Sequence, residues 1–267
     1  MNASVRSVIE KWYRELGFPE KYDDEFYAAL ELTEIDETVT GETYSSEEKD
    51  GKKKLLTLLY LCEELQCRYE EKGIPREILL DTLRDLVLWT VAWSEKEGML
   101  CLHEQGWMKR HVTMRVFRIG RLQFSPGNAK TDIAVKDVSK GEPILEIHVP
   151  ADGPMDYAQC LDSIRRAKEF YAKYYPEYSY RCITFHSWLL DASLQEILNE
   201  ESNILKFQKL FDTVKVEVSD AILRYVFDWT VTRETLPQAV CTSGFAQRVK
   251  DRMLSGQDFY LTYGVLK

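Results

Sequence analysis

The chain has 267 residues, 45 % hydrophobic and 12 % aromatic, which is enough for one large or two ordinary domains. A formal net charge of −9 at pH 7 argues against a nucleic-acid partner, which would want a basic face, and no run approaches the roughly 20 apolar residues of a membrane helix. The N-terminal stretch MNASVRSVIEKWYREL is amphipathic and carries acids rather than an export core. The six cysteines form no CxxC pair and read as reduced thiols of a cytoplasmic protein.

Residues 1–110 are expected to be all-helical. Val5, Val8, Ile9, Trp12 and Leu16 trace one helical face that ends at Gly17-Phe18-Pro19, and Asp23 to Leu32 forms a second helix. Thr38 to Lys54 is polar and reads as an exposed, solvated loop leading into a helix marked by Leu55, Leu58, Leu59, Cys62 and Leu65. Gly73-Ile74-Pro75 breaks it, and Pro75 opens a strongly apolar helix that Gly98 ends. A short helix follows through Leu102 to Arg110.

The pattern changes near His111. Thr113 to Phe124 reads as one long strand with Gly120 as a bulge or a close-approach point, and Arg121 and Gln123 share a face. Ser125-Pro126-Gly127-Asn128 is a turn, Ile133 to Val138 a weaker strand, and Lys140-Gly141-Glu142-Pro143 a second turn. The stretch Pro143 to Asp191 then reads as strand, turn, helix, strand. Ile144, Leu145, Ile147 and Val149 make an apolar strand, which Pro150-Ala151-Asp152-Gly153-Pro154 stops. Asp156 caps the helix with Gln159 at capping-box spacing, Pro176 ends it, and Tyr180, Cys182, Ile183 and Phe185 make the next strand. A strand, crossover helix and strand imply a parallel pair, whose carboxyl ends are where ligands of such sheets usually sit. Beyond it come a helix capped by Asp191, a turn at Ser202-Asn203, a strand over Val214-Val216-Val218, a helix with Ile222 and Tyr225, a helix capped by Thr242 or Ser243, and a terminal strand over Phe259 to Leu266.

Two histidines, His148 and His186, fall at the carboxyl ends of the parallel strands. Glu146 shares a strand face with His148, as Thr184 does with His186. In the usual register the two imidazoles lie close. They are candidates either for proton transfer or for structural groups that order the strand ends. A metal site from Glu146, His148 and His186 matches no zinc spacing. A serine hydrolase is disfavoured by the missing Gly-x-Ser-x-Gly elbow and by alternation, which puts Ser187 on the face opposite His186 while the strand persists.

The phrases RVFRIGRLQF, LEIHVPADGP, FHSWLLD and SNILKFQ resemble a bacterial acyltransferase-domain family that pairs a helical N-terminal acyltransferase-like domain with a GNAT-like C-terminal domain. The resemblance implies an α+β chain: a helical domain over residues 1–110, then a GNAT-like mixed sheet with flanking helices over residues 111–267. It also implies acyl transfer from acetyl-CoA or another acyl-CoA to an amine of a small-molecule or peptide acceptor. Carried over by position, the CoA pyrophosphate loop is Val149, Pro150, Ala151, Asp152, Gly153, Pro154 and Met155, whose backbone N–H groups and helix end would hold the anion. His148, His186, Glu146 and Ser187 become the catalytic candidates, and Arg121, Gln123 and Trp188 the substrate contacts. The loop departs from the usual Gly-x-Gly pattern: Gly153 stands alone, Pro150 and Pro154 donate no N–H, and Asp152 and Asp156 bring negative charge to a phosphate site. That departure keeps a second reading open, a catalytically inactive GNAT-like module that binds a small ligand or a protein. Neither a membrane nor a nucleic acid is expected as a partner, and the oligomeric state stays open.

Overall fold

The structure is a computed structural model that describes residues 3–104, 106–228 and 230–267. The chain forms two compact units: Met1–Phe124 with Val149–Gly153 and Arg166–Pro176, and Ser125–His148 with Pro154–Arg165 and Glu177–Lys267.

The first unit is built on amphipathic helices. Helix α1 (Ala3–Leu16) buries Val5, Ile9, Trp12 and Tyr13, and α2 (Asp23–Leu32) buries Phe26, Ala29 and Leu30. The Asp50 carboxylate accepts from the Lys52 and Lys53 amides and starts α3 (Gly51–Glu71), whose leucines 55, 56, 58 and 59 are almost fully buried. Each such side chain contributes roughly 1.5–3 kcal/mol. Helix α4 (Arg76–Glu97) stops at Gly98, which takes a left-handed φ of 72° that a β-carbon would disfavour. The next helix, α5 (Trp107–Val112), begins and ends later than the Leu102–Arg110 pattern suggests, because Gly106 at φ 93° is its cap.

The stretch 113–124 is a hairpin rather than one long strand. Strand β1 (Phe117–Ile119) pairs antiparallel with β2 (Leu122–Asn128), Ile119 opposite Leu122 and Arg118 opposite Gln123. Only Gly120 and Arg121 lie between. Gly120 has φ 72°, the positive value that a two-residue hairpin loop needs at its first position. A bulge would have kept Arg121 on the strand. The turn instead places Arg121 at the hairpin tip and puts Arg118 and Gln123 side by side.

The six strands form a mixed sheet in the order β1-β2-β3-β4-β6-β5. In the second unit β3 (Pro143–His148) runs parallel to β4 (Ile183–Ser187), with Leu145, Glu146 and Ile147 opposite Ile183, Thr184 and Phe185. Helix α6 (Tyr157–Tyr174) makes the crossover, and the Gln159 amide donates to the Asp156 carboxylate at 2.9 Å, as the capping pattern predicts. Ile133–Val138 is a single 3-10 turn over Ala134–Lys136 closed by one bridge, and not a strand. Asp137 sits at φ 50° and turns the chain back.

After β4, Asp191 accepts from the amides of Ser193 and Tyr260 and so ties a 3-10 turn to the last strand. Helix α7 (Asn203–Gln208) leads into β5 (Phe211–Val218), then α8 (Ala221–Val226), α9 (Gly244–Leu254) and β6 (Tyr260–Leu266). Ser243 is the cap of α9. Strand β6 lies antiparallel between β4 and β5. One apolar cluster gathers Leu194, Ile222, Leu223, Val249 and Phe259. Another gathers Ile133, Val138, Ile144, Tyr263 and Val265.

Candidate functional site

The loop Val149–Gly153 is held by two arginines of the hairpin. Arg121 Nη1 donates to the Pro150 carbonyl at 3.0 Å, and Nη2 donates to the Gly153 carbonyl at 2.5 Å. Arg118 Nη1 meets the Asp152 carboxylate at 2.5 Å, and Arg121 Nη1 lies 3.9 Å from the same group. Both guanidinium groups are more than nine-tenths buried. A trans peptide points its C=O and N–H in opposite directions, so turning the Pro150 carbonyl to Arg121 turns the Ala151 N–H away from it. Among the described residues, no hydrogen bond within the chain uses the N–H of Ala151, Asp152 or Gly153. A β-carbon added at Gly153 would meet nothing within 4 Å, so the space over the loop is open.

The charge objection raised by Asp152 is thereby met. Two guanidinium groups face the Asp152 carboxylate, so its charge is compensated, and with Asp156 counted the two arginines balance the two acids. Asp156 is occupied as a helix cap. Arg121 therefore braces the loop. Gln123 is buried at 2 % exposure beside Asp85, its amide nitrogen without a hydrogen bond of normal geometry.

The polar face of the sheet lies in the second unit. The β3–β4 register puts His148 and His186 at the same level of adjacent strands, on the face that also carries Glu146 and Thr184. His186 pairs with Tyr263 across β6, and their rings meet edge to face at 5.7 Å. Ser125 Oγ lies 2.8 Å from His148 Nε2 and 3.5 Å from the Glu146 carboxylate. Lys130 Nζ lies 3.4 Å from His186 Nδ1 and 4.0 Å from Glu146. Burial, then the Lys130 charge, holds the His186 pKa below its ordinary 6.5, so its imidazole is neutral at pH 7. An ammonium can only donate, so in the neutral ring Nδ1 accepts from Lys130 and Nε2 keeps its hydrogen.

This face is pinned from below. The Tyr178 hydroxyl donates to the Ile144 carbonyl at 2.5 Å and accepts from the Gly127 amide at 3.1 Å. A β-carbon at Gly127 would come within 2.7 Å of the Glu146 carboxylate carbon, so only glycine leaves Glu146 its place. Ser187 points elsewhere: its hydroxyl accepts from the Leu189 amide and caps the following turn. Trp188 stacks between Tyr225 and Phe245, against the apolar cluster of Leu194 and Ile222.

Sequence reasoning ranks Arg118 below Arg121 and Gln123 as a contact to acceptor or CoA, and it does not single out Ser125, Lys130 or the Asp85–His111 pair. The last is buried in the first unit, where Asp85 accepts from Trp107 Nε1 at 2.8 Å and contacts His111 Nε2 at 3.2 Å. Burial pushes the Asp85 pKa up, but the bonds and charge of His111 outweigh it and leave it below the ordinary carboxylate value. Among the described residues no three His, Cys, Asp or Glu side chains are placed to hold a metal ion, and no helix is long and apolar enough to cross a membrane.

No curated protein matches the chain. Among solved structures, an acyltransferase in complex with decanoyl-CoA and teicoplanin aligns at a TM-score of 0.78 and 22 % identity, covering 97 % of this chain and 87 % of that one. Another, in complex with CoA and 10C-teicoplanin, aligns at 0.73 and 23 % identity over 99 % and 85 %. An acyltransferase in complex with decanoyl-CoA alone aligns at 0.68 and 25 % identity over 98 % and 77 %. Residues 5–114 match the N-acyltransferase N-terminal domain, and residues 116–266, more than half of the chain, match the GNAT-like C-terminal domain. The chain therefore belongs to the family of proteins with a GNAT-like C-terminal domain, here preceded by an N-acyltransferase N-terminal domain.

Proposed function

We propose that the chain is an acyl-CoA-dependent N-acyltransferase, with a helical domain over residues 1–110 and the catalytic GNAT-like domain over 111–267. The observation that carries this reading is the braced loop: Arg118 and Arg121 take up its carboxylate and two of its carbonyls, leaving backbone N–H groups for a diphosphate. The stretch Val149–Met155 and the start of the helix after it would hold the CoA pyrophosphate. That solved acyltransferases of the same fold bind decanoyl-CoA and CoA supports a thioester donor, a long-chain one included. That some also bind teicoplanin supports an amine-bearing small molecule or peptide as acceptor.

In the proposed reaction the acceptor amine attacks the thioester carbonyl, the C–N bond forms, the C–S bond breaks, and the amine proton must be removed. His148 is the base. The Ser125 hydroxyl donates to Glu146 and its oxygen accepts from His148 Nε2–H, a tautomer in which Nδ1 is the basic nitrogen that takes the proton. The carboxylate of Glu146 stabilises the imidazolium that results. His186, neutral and with hydrogen on Nε2, hydrogen-bonds to the oxygen of the tetrahedral intermediate, and the departing thiolate takes up the proton held on the His148 imidazolium. Ser187, engaged as a cap, is not needed for either step.

Thermal melting with CoA, acetyl-CoA and decanoyl-CoA tests the donor. A ligand at about 100 times its Kd stabilises by about 2.7 kcal/mol, a rise of roughly 5–10 °C for a chain of this size. The second reading, a GNAT-like module without turnover, is favoured by one observation, the two loop prolines that offer no N–H. Thioester-dependent stabilisation without release of free thiol, across a panel of amines, would select it. No stabilisation by any of the three ligands would refute both the donor site and the enzyme.

A further inference from the structure

Strand β5 is the last strand of the sheet, and among the described residues only β6 pairs with it, along its inner side; Val216 and Val218 are 50 % and 60 % exposed. An edge of this kind offers unpaired backbone groups to another strand, and soluble proteins normally blunt it. Here the side chains are arranged around a centre. The register to β6 sets Lys215 and Glu217 on one face and Val216 and Val218 on the other, beyond the irregularity at Thr213/Lys215.

We propose that β5 is the interface with a second copy of this chain, and that two copies join their sheets antiparallel about a two-fold axis through Val216. In that register residue numbers across the pair sum to a constant. Val216 meets Val216 of the partner subunit. Lys215 meets the partner's Glu217, and Glu217 meets the partner's Lys215. Both ion pairs form at once, because an isologous contact repeats every interaction. On the other face the two Val216 side chains and the flanking Val218 side chains make one apolar row, since diagonal neighbours across a pair lie within reach of one another. No other centre within Lys215–Val218 does this. A shift to Lys215 or Glu217 sets like charges against each other, and an axis between two residues pairs opposite faces.

Within one chain Lys215 and Glu217 already contact each other. Association therefore exchanges an exposed ion pair for two pairs across a strand junction, and the valines and backbone bonds supply the rest. The expected product is a reversible dimer, since one strand pair covers far less than the roughly 1,600 Å² of a standard stable interface. Lys215 and Glu217 lie on the face of His186 and Val216 and Val218 on the opposite one, so the proposal is read by oligomeric state and not by turnover.

Sedimentation equilibrium of the full chain across a wide concentration range tests it. The unmodified chain is expected to move from monomer to dimer as concentration rises. Lys215→Glu and Glu217→Lys each replace two opposite-charge contacts by two like-charge contacts, so each raises the dimer dissociation constant by about tenfold or more. The double variant Lys215→Glu/Glu217→Lys swaps both charges and restores dimerisation. All four residues are at the surface, and circular dichroism confirms that each variant is folded. A chain that stays monomeric at every concentration overturns the proposal. So does a double variant as weak as either single one, because a two-fold at Val216 requires the rescue.

Discussion

Replacing Arg121 with alanine removes the fork that holds the carbonyls of Pro150 and Gly153. A hydrogen bond to a charged group contributes about 1.5–3 kcal/mol net, so two would contribute roughly 3–6 kcal/mol if both were sealed from water. Gly153 is exposed, and water can replace part of what is lost. Halving the sum leaves roughly 1.5–3 kcal/mol, which is the energy needed to order the loop again when ligand binds. Because 1.4 kcal/mol is a factor of ten, CoA should bind about 10- to 150-fold more weakly. Isothermal titration with CoA reads this directly. Arg121→Lys serves as the internal comparison: it keeps the charge, but one ammonium cannot span both carbonyls in the guanidinium geometry, and its affinity should fall between the two. Arg121→Ala binding CoA within about twofold of the unmodified chain, with the fold intact, would refute the idea that the hairpin shapes the loop for a phosphate.

Three further outcomes follow from the packing. Lys130→Met removes a positive charge that disfavours the His186 imidazolium, so an NMR titration of His186 should move to higher pH, toward its ordinary value; an unchanged or lower midpoint would contradict the contact. Asp85 has a folded-state pKa below its unfolded one, so its stability contribution is present above about pH 4 and lost as pH falls through the folded value. Asp85→Asn should accordingly flatten the acid side of stability measured by urea unfolding between about pH 3 and 7, and His111→Ala, which strands a buried carboxylate, should cost about 3–5 kcal/mol. Gly127→Ala drives a methyl into the Glu146 carboxylate, and the side chain can yield where a backbone could not. The melting temperature should therefore fall little while turnover falls at least tenfold; full turnover would remove Glu146 from the mechanism.

Much of the architecture was legible because each element announces itself locally. The apolar run of β3, the Asp156 cap and Gln159 three residues on, and the run of β4 define the parallel unit without tertiary information. The helix ends at Gly98 and Ser243 likewise follow from residue type. The hairpin was misread because Gly120-Arg121 lacks the Asn-Gly or Asp-Gly signature, and the apolar pattern runs through the turn unbroken. Asp137 misleads in the opposite way: its left-handed φ is not encoded by a glycine, so Ile133–Val138 looked extended.

The level of His148 and His186 could be expected from a parallel register. What surrounds them could not. Arg118 and Asp152 are 34 positions apart, and Lys130 and His186 are 56 apart. No periodicity or motif links them, so their pairing is a property of the topology. Trp188 shows the converse, since an aromatic at a strand end invites a ligand role and is instead stacked between Tyr225 and Phe245.

The account rests on the amides of Ala151, Asp152 and Gly153 facing a diphosphate. Amide NMR of the isotopically labelled full chain, titrated with CoA and separately with the dephosphorylated pantetheine arm, measures this most directly. CoA should shift these three amides more than any in the C-terminal strands, and the pantetheine arm alone should leave them nearly still. CoA shifting other amides while these three stay unmoved would contradict the account.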